Sequence, residues 1–170
     1  MSVTEHKKDH HTSVRCMVIT VSDTRDEETD KSGRLIKDYL KEEGHKVTRY
    51  VIVKDEQLAI KEAVVSGLED PSVDAVLTNG GTGMAYRDVT IETVHPLLDK
   101  EMTGFGELFR MLSYSEDIGS SAILSRAIAG VSQHTAIFST PGSSGAVKLA
   151  MEKLILPELR HVVKEVKKDI

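Results

Sequence analysis

The chain has 170 residues, 39% of them hydrophobic and 29% charged, which suits one domain with a core that needs no disulfide or metal to hold it. Its 22 basic and 27 acidic side chains give a formal charge of −5, which argues against nucleic acid as the main partner. The lone cysteine, Cys16, excludes a disulfide framework or a four-cysteine metal site within the chain, and no run of roughly 18 apolar residues is present to span a bilayer.

Residues 1–12 are polar and lack the apolar centre of a secretory signal. We expect a flexible tail there, a single domain over 13–170, and a cytoplasmic location. His6, His10 and His11 fall in that tail, and a solvated tail is the simpler reading of them than a metal site. With three Phe, four Tyr and no Trp, the core must be aliphatic.

The first apolar run, Val14 to Val21, is short and rich in β-branched residues and reads as a buried strand. A polar loop, Ser22 to Asp30, follows it. Leu35, Ile36, Tyr39 and Leu40 then mark the apolar stripe of a helix from Lys31 to Glu43, stopped by Gly44. Val47 to Val53 reads as a second strand. Asp55 or a residue next to it is placed to cap a helix carrying Leu58, Ile60, Ala63, Val64 and Leu68. Val73 to Leu77 is a third strand, running into Thr78-Asn79-Gly80-Gly81-Thr82-Gly83.

Thr90 reads as the cap of a helix over Ile91 to Leu98 that contains Pro96. Thr103-Gly104-Phe105-Gly106 reads as a turn before a helix from Glu107 to Leu112. Ser120 to Ala129 reads as another helix, ended by Gly130. Thr135 to Ser139 is a strand, Pro141 to Gly145 a second glycine turn, and Ala146 to Lys167 a long helix that Pro157 kinks or divides. Alternating strands and helices with right-handed crossovers imply a mostly parallel sheet covered on both faces. Ligands of such sheets sit beyond the carboxyl ends of the strands, where Ser22–Asp30, Thr78–Asp88, Thr140–Gly145 and Asp55 all fall.

Three glycines within Gly80-Gly81-Thr82-Gly83 allow positive φ and close approach of a ligand to the backbone, whose N–H groups can cradle an anion. The dinucleotide fingerprint is absent, because Tyr86 stands where the third glycine belongs. The P-loop is absent, because no lysine lies near either turn. Asp88 follows the glycine turn and Asp55 the second strand. A carboxylate beside a phosphate site calls for a bound Mg²⁺, and helix capping explains each equally well. Ser22-Asp23-Thr24-Arg25 offers an acceptor, hydroxyls and a guanidinium, or is a solvated loop. Gly142 and Ser143 offer a second anion turn, or a plain cap. Ser120, Ser121 and Arg126 fit a second phosphate or a pterin edge as well as they fit packing and a surface ion pair.

Taken in order, Ser22-Asp23-Thr24-Arg25, Asp55-Glu56, Gly80-Gly81-Thr82-Gly83, Arg87-Asp88-Val89-Thr90, Gly104-Phe105-Gly106-Glu107, Gly119-Ser120-Ser121, Leu124-Ser125-Arg126-Ala127 and Pro141-Gly142-Ser143 resemble the molybdenum cofactor biosynthesis family that binds molybdopterin, its bacterial B-type members in particular. The resemblance covers Val14 to Leu159. It implies a three-layer α/β/α sandwich on a mostly parallel sheet. The activity it implies is transfer of AMP from Mg-ATP to the terminal phosphate of molybdopterin, with release of pyrophosphate.

Carried onto this chain, the resemblance implies that Asp55 and Asp88 are catalytic and hold Mg²⁺, and that Gly80, Gly81, Thr82 and Gly83 cradle phosphates. Ser22 and Asp23 would face the nucleotide or pterin, Ser120, Ser121 and Arg126 the pterin, and Gly142 and Ser143 a second anion. A homotrimer or homohexamer is implied as well, with molybdopterin and ATP as ligands and neither nucleic acid nor membrane as partner. The alternative is a non-catalytic molybdopterin-binding or carrier protein of the same pathway. Asn79 stands where the family usually has Thr, and Thr103 where Pro is frequent.

Overall fold

The computed structural model describes residues 12–170; His6, His10, His11 and nearly all of the expected tail lie outside them. Four strands are mutually parallel: β1 (Arg15–Val21), β2 (Lys46–Val53), β3 (Ala75–Asn79) and β6 (Thr135–Thr140). Two more, β4 (Lys100–Glu101) and β5 (Ile128–Ser132), extend the sheet antiparallel beyond β6. The order across the sheet is β2-β1-β3-β6-β5-β4.

The central strands are apolar along their whole length because both faces are covered. Successive residues alternate between two cores. Cys16, Val18, Leu77 and Phe138 face helices α1 (Lys31–Glu42), α4 (Thr103–Glu116), α5 (Ser144–Ala150) and α6 (Leu156–Val166). Met17, Ile19, Val76 and Ile137 face the other way, toward α2 (Gln57–Leu68) and the short α3 (Thr90–Val94). The result is the expected three-layer α/β/α sandwich with a mostly parallel sheet. No helix among the described residues is long and apolar enough to cross a membrane.

Several local expectations change. Ser120 to Ala129 is not a helix: a 3-10 turn, Gly119–Leu124, leads into β5. Gly130 lies inside that strand, where a Cβ would sit 2.4 Å from the Lys100 carbonyl oxygen. Its role is to admit β4, not to end a helix. Thr103 to Gly106 is the first turn of α4, packed so that a Cβ on Gly106 would meet the Ala127 carbonyl at 2.7 Å. The N-cap of α2 is Glu56, next to Asp55, and it makes no side-chain capping bond. Thr90 is the first residue of α3, not its cap, and that helix passes at His95 into a 3-10 turn containing Pro96. Near Pro157 the last helix falls into two α-helical pieces joined by a π turn. The proline lacks an N–H and crowds the carbonyl four residues back, and the wide π turn over Met151–Ile155 absorbs both defects between α5 and α6.

Candidate functional site

A cavity of about 350 Å³ opens at the carboxyl ends of the parallel strands. Ser22, Thr24 and Arg25 line it from the loop after β1, Asp55 from the loop after β2, Gly80 to Gly83 and Asp88 from the segment after β3, and Pro141 and Gly142 from the turn after β6. Four separate strand ends therefore converge, as the sheet rule requires.

The glycine loop is built tightly. Gly80 and Gly81 have φ of 95° and 68°, a region that costs other residues about 1–3 kcal/mol. A Cβ on Gly80 would lie 2.2 Å from the Val21 carbonyl oxygen, and one on Gly81 2.3 Å from Thr90 Oγ1. Thr90 accounts for two carbonyls of the loop: its hydroxyl donates to Gly80 O and its backbone N–H to Gly81 O, each at 2.9 Å. Arg126 accounts for the next two. Its Nε donates to Thr82 O at 2.9 Å and its Nη2 to Gly83 O at 2.8 Å, while Glu92 holds the guanidinium from behind.

All four carbonyl oxygens of Gly80–Gly83 are thus engaged. Among the described residues, the N–H groups of Gly81, Thr82 and Gly83 find no acceptor. A loop with its acceptors satisfied and successive donors open has the chemistry to receive an anion.

The carboxylates sit around this loop. Asp23 accepts two hydrogen bonds from Arg87, at 2.6 and 2.9 Å, and one from the Asp55 backbone at 3.1 Å, so it latches three loops together. The Arg87 bonds hold its carboxyl below the usual range. Asp88 Oδ2 accepts from the Ala85 N–H at 2.9 Å. Asp55 is the contrary case: burial first, then the charges of Asp23 and Asp88, push its pKa up. A half-buried carboxylate facing two others, with its proton held more tightly than usual, is a place where a divalent cation would relieve repulsion. Among the described residues no group of three or more acidic, His or Cys side chains converges as a metal cage. Mg²⁺ asks for less, being held commonly by one or two carboxylates, waters and ligand phosphates, so the pair Asp55 and Asp88 fits it.

The structure brings Ser22, Gly80, Gly81, Thr82, Gly83, Asp55, Asp88 and Gly142 to one cavity. Asp23 stands behind it as the latch. Ser143 serves as the N-cap of α5, accepting from the Ala146 N–H at 3.2 Å. Ser120 and Ser121 are exposed on the 3-10 turn and do not line the cavity. Arg126 is spent on the back of the glycine loop. The role of Arg126 as a carbonyl holder has no signature in the sequence, because it reaches Thr82 and Gly83 from more than forty residues away.

A family model described as "Probable molybdopterin binding domain" matches residues 17–161, and the chain belongs to that family. It is 66% identical over 169 residues to Molybdenum cofactor biosynthesis protein B of Bacillus subtilis (strain 168), covering 99% of each chain. Its fold is similar to that of a crystal structure of a Molybdenum cofactor biosynthesis protein B, with a TM-score of 0.91 and 63% identity over 93% of this chain and 98% of that one. It is similar also to the tungsten cofactor synthesizing protein MoaB from Pyrococcus furiosus, with a TM-score of 0.76 and 41% identity over 91% of this chain and 98% of that one.

Proposed function

We propose that this chain acts in molybdenum cofactor biosynthesis, binding molybdopterin and ATP and transferring AMP to the terminal phosphate of the pterin. The observation that carries this reading is the glycine loop, whose carbonyls are all held by Thr90 and Arg126 while three successive N–H groups stay open beside Asp55 and Asp88.

In adenylyl transfer a phosphate oxygen of the pterin forms a bond to the α-phosphorus of ATP. The bond from that phosphorus to the bridging oxygen breaks, and pyrophosphate leaves. The nucleophile is already an anion, so no serine, cysteine or histidine is needed to generate one. What the protein must supply is position and neutralisation of charge. The Gly81, Thr82 and Gly83 N–H groups are fixed in advance for phosphate oxygens. Asp55 and Asp88 are the residues to hold Mg²⁺, which when bound would neutralise the phosphates and favour departure of pyrophosphate. Arg87 keeps Asp23 pinned, and through the Asp55 backbone it fixes where that carboxylate stands.

The test is release of pyrophosphate from ATP by the purified protein with molybdopterin. Asp55→Asn and Asp88→Asn should each lower turnover by on the order of a hundredfold with the fold intact by circular dichroism. Binding of molybdopterin by the wild type without any pyrophosphate release would replace the enzyme with the carrier.

A further inference from the structure

A ligand rich in phosphate needs positive charge, and the cavity has one side chain that supplies it. Arg25 is the only cationic residue lining the cavity among the described residues. Arg87 is turned to Asp23 and Arg126 to the glycine loop's carbonyls.

Arg25 is built in more firmly than a solvated loop residue. Nη1 donates to Ser32 Oγ at 2.5 Å and lies 3.7 Å from Asp30 Oδ1. Nη2 donates to the Gly142 carbonyl at 3.0 Å. Asp30 and Ser32 are 1% and 0% exposed. They belong to a closed network beneath the cavity. Thr20 and Tyr50 donate to the Asp30 carboxylate at 2.6 and 2.5 Å, and the Asn79 amide donates to Thr20 Oγ1 at 2.9 Å. Ser32 in turn donates to Asn79 Oδ1 at 2.7 Å. Burial alone would raise the Asp30 pKa, but these hydrogen bonds outweigh it and hold the carboxyl below its usual range. The guanidinium thus rests on a buried anion through Ser32 and ties the loop after β1 to the turn after β6. The Nε–H and one N–H on each Nη have no hydrogen-bond acceptor among the described residues.

We infer that Arg25 is the phosphate anchor of the cavity, a binding residue that a planar, preorganised fork suits and a lysine does not. The inference rests on reading the cavity as a site for a phosphate-bearing ligand. It divides that site into two ends. Asp55 and Asp88 form the acidic end, and Arg25, against Gly80 and Gly142, forms the basic end. The phosphate at the basic end comes either from the polyphosphate of a nucleotide or from a phosphomonoester.

Calorimetric titration of the full chain in EDTA with inorganic tripolyphosphate, and separately with inorganic phosphate, tests the anchor without any metal. Arg25→Lys should weaken binding by about tenfold or more and Arg25→Gln further, each titrated at a temperature where circular dichroism shows the variant folded. A loss confined to tripolyphosphate assigns the anchor to the nucleotide, and a loss confined to phosphate assigns it to the phosphomonoester. Arg110→Gln serves as the control. That exposed arginine lines a separate cavity beside α4, and its removal should change nothing. Equal affinity of wild type and Arg25→Gln for both probes, or loss in Arg110→Gln instead, overturns the inference, as does a wild type that binds neither probe. The pyrophosphate-release assay fails independently. A wild type that binds the probes through Arg25 but never turns over keeps the anchor and removes the transferase.

Discussion

At the scale of single residues, Asp55 sets function against stability. Burial and the charges of Asp23 and Asp88 raise its pKa in the folded chain, so the fold binds that proton more tightly than the unfolded chain does. Ionised Asp55 therefore destabilises the protein at neutral pH, and the penalty disappears as pH falls from the raised folded value through the ordinary 3.8. Asp55→Asn should be more stable than wild type at pH 7 while losing turnover, and the stability difference should close in acid. Urea midpoints measured from pH 7 to pH 3 read this, and an asparagine variant no more stable than wild type at pH 7 removes the repulsion argument. Arg126 acts in the opposite sense, through carbonyls that a lysine cannot gather. Arg126→Lys leaves half-buried acceptors unpaired, so it should cost about 1 kcal/mol of stability and about tenfold or more in turnover. Full activity in that variant would mean that the loop holds its shape without the clamp.

At the scale of elements, the parallel half of the sheet was legible because its strands are continuous apolar runs bounded by turn residues, as in Val18-Ile19-Thr20-Val21 and Ala75-Val76-Leu77. The antiparallel edge was not. β4 is two exposed residues, Lys100 and Glu101. The Ala129-Gly130 pair of β5 is small because strands and helices approach there, and small residues before a glycine imitate a helix end. The glycine loop of the site could be read for the same reason that Gly130 was misread: glycine announces close approach without saying of what. Away from the site, two buried groups fix the opposite, amino end of the sheet.

Asp74, just before β3, accepts from the Arg15 backbone at 2.9 Å and its guanidinium at 2.8 and 3.0 Å, and pairs with Lys167 beyond α6. Burial would raise its pKa, but these partners bring it down to about 2. Its contribution is therefore complete above the ordinary 3.8 and is lost as pH falls toward about 2. His45 enters β2 with Nδ1 accepting the Val14 N–H at 3.1 Å and a buried Nε2 that finds no partner among the described residues. Burial, with Arg160 nearby, lowers it from 6.5 to about 4, so stability declines between those two values as the unfolded chain takes up the proton. Asp74→Asn should cost about 1–3 kcal/mol at pH 7 and flatten the lower limb of a stability–pH curve, and His45→Asn should flatten the upper. Chemical denaturation across pH 7 to pH 2.5 separates the limbs. Slopes unchanged in both variants would place the acid sensitivity elsewhere.

At the scale of the whole molecule, α4 has two apolar faces and the chain covers only one. Phe105 and Phe109 are buried, with Leu112 packed beside them. Leu108, Met111 and Tyr114, spaced three apart and so on a common face, are exposed. The apolar patch continues onto the next turn, where Ile123 is 82% and Leu124 57% exposed. The segment from Phe105 to Tyr114 is thus split between the chain's own core and its surface, a division that composition cannot make because both faces use the same residue types. An apolar patch running along a helix and the turn that follows it is unusual on a protein that stays monomeric, and one chain type that buries such a face closes into a point group. We expect a homotrimer or a pair of trimers, as the family resemblance implies. Leu124 and Ser125 also line the cavity, so a neighbour seated on this turn would border the site. Sedimentation over a range of concentrations should give three or six times the 18.7 kDa of one chain. Leu108→Glu with Met111→Glu, which places charge on the exposed apolar face but none in the core, should release the monomer and lower turnover together. A wild type that sediments as one chain at high concentration, or as a dimer and nothing larger, rules the trimer out. Dissociated variants that keep full turnover would show that each cavity is complete within its own chain.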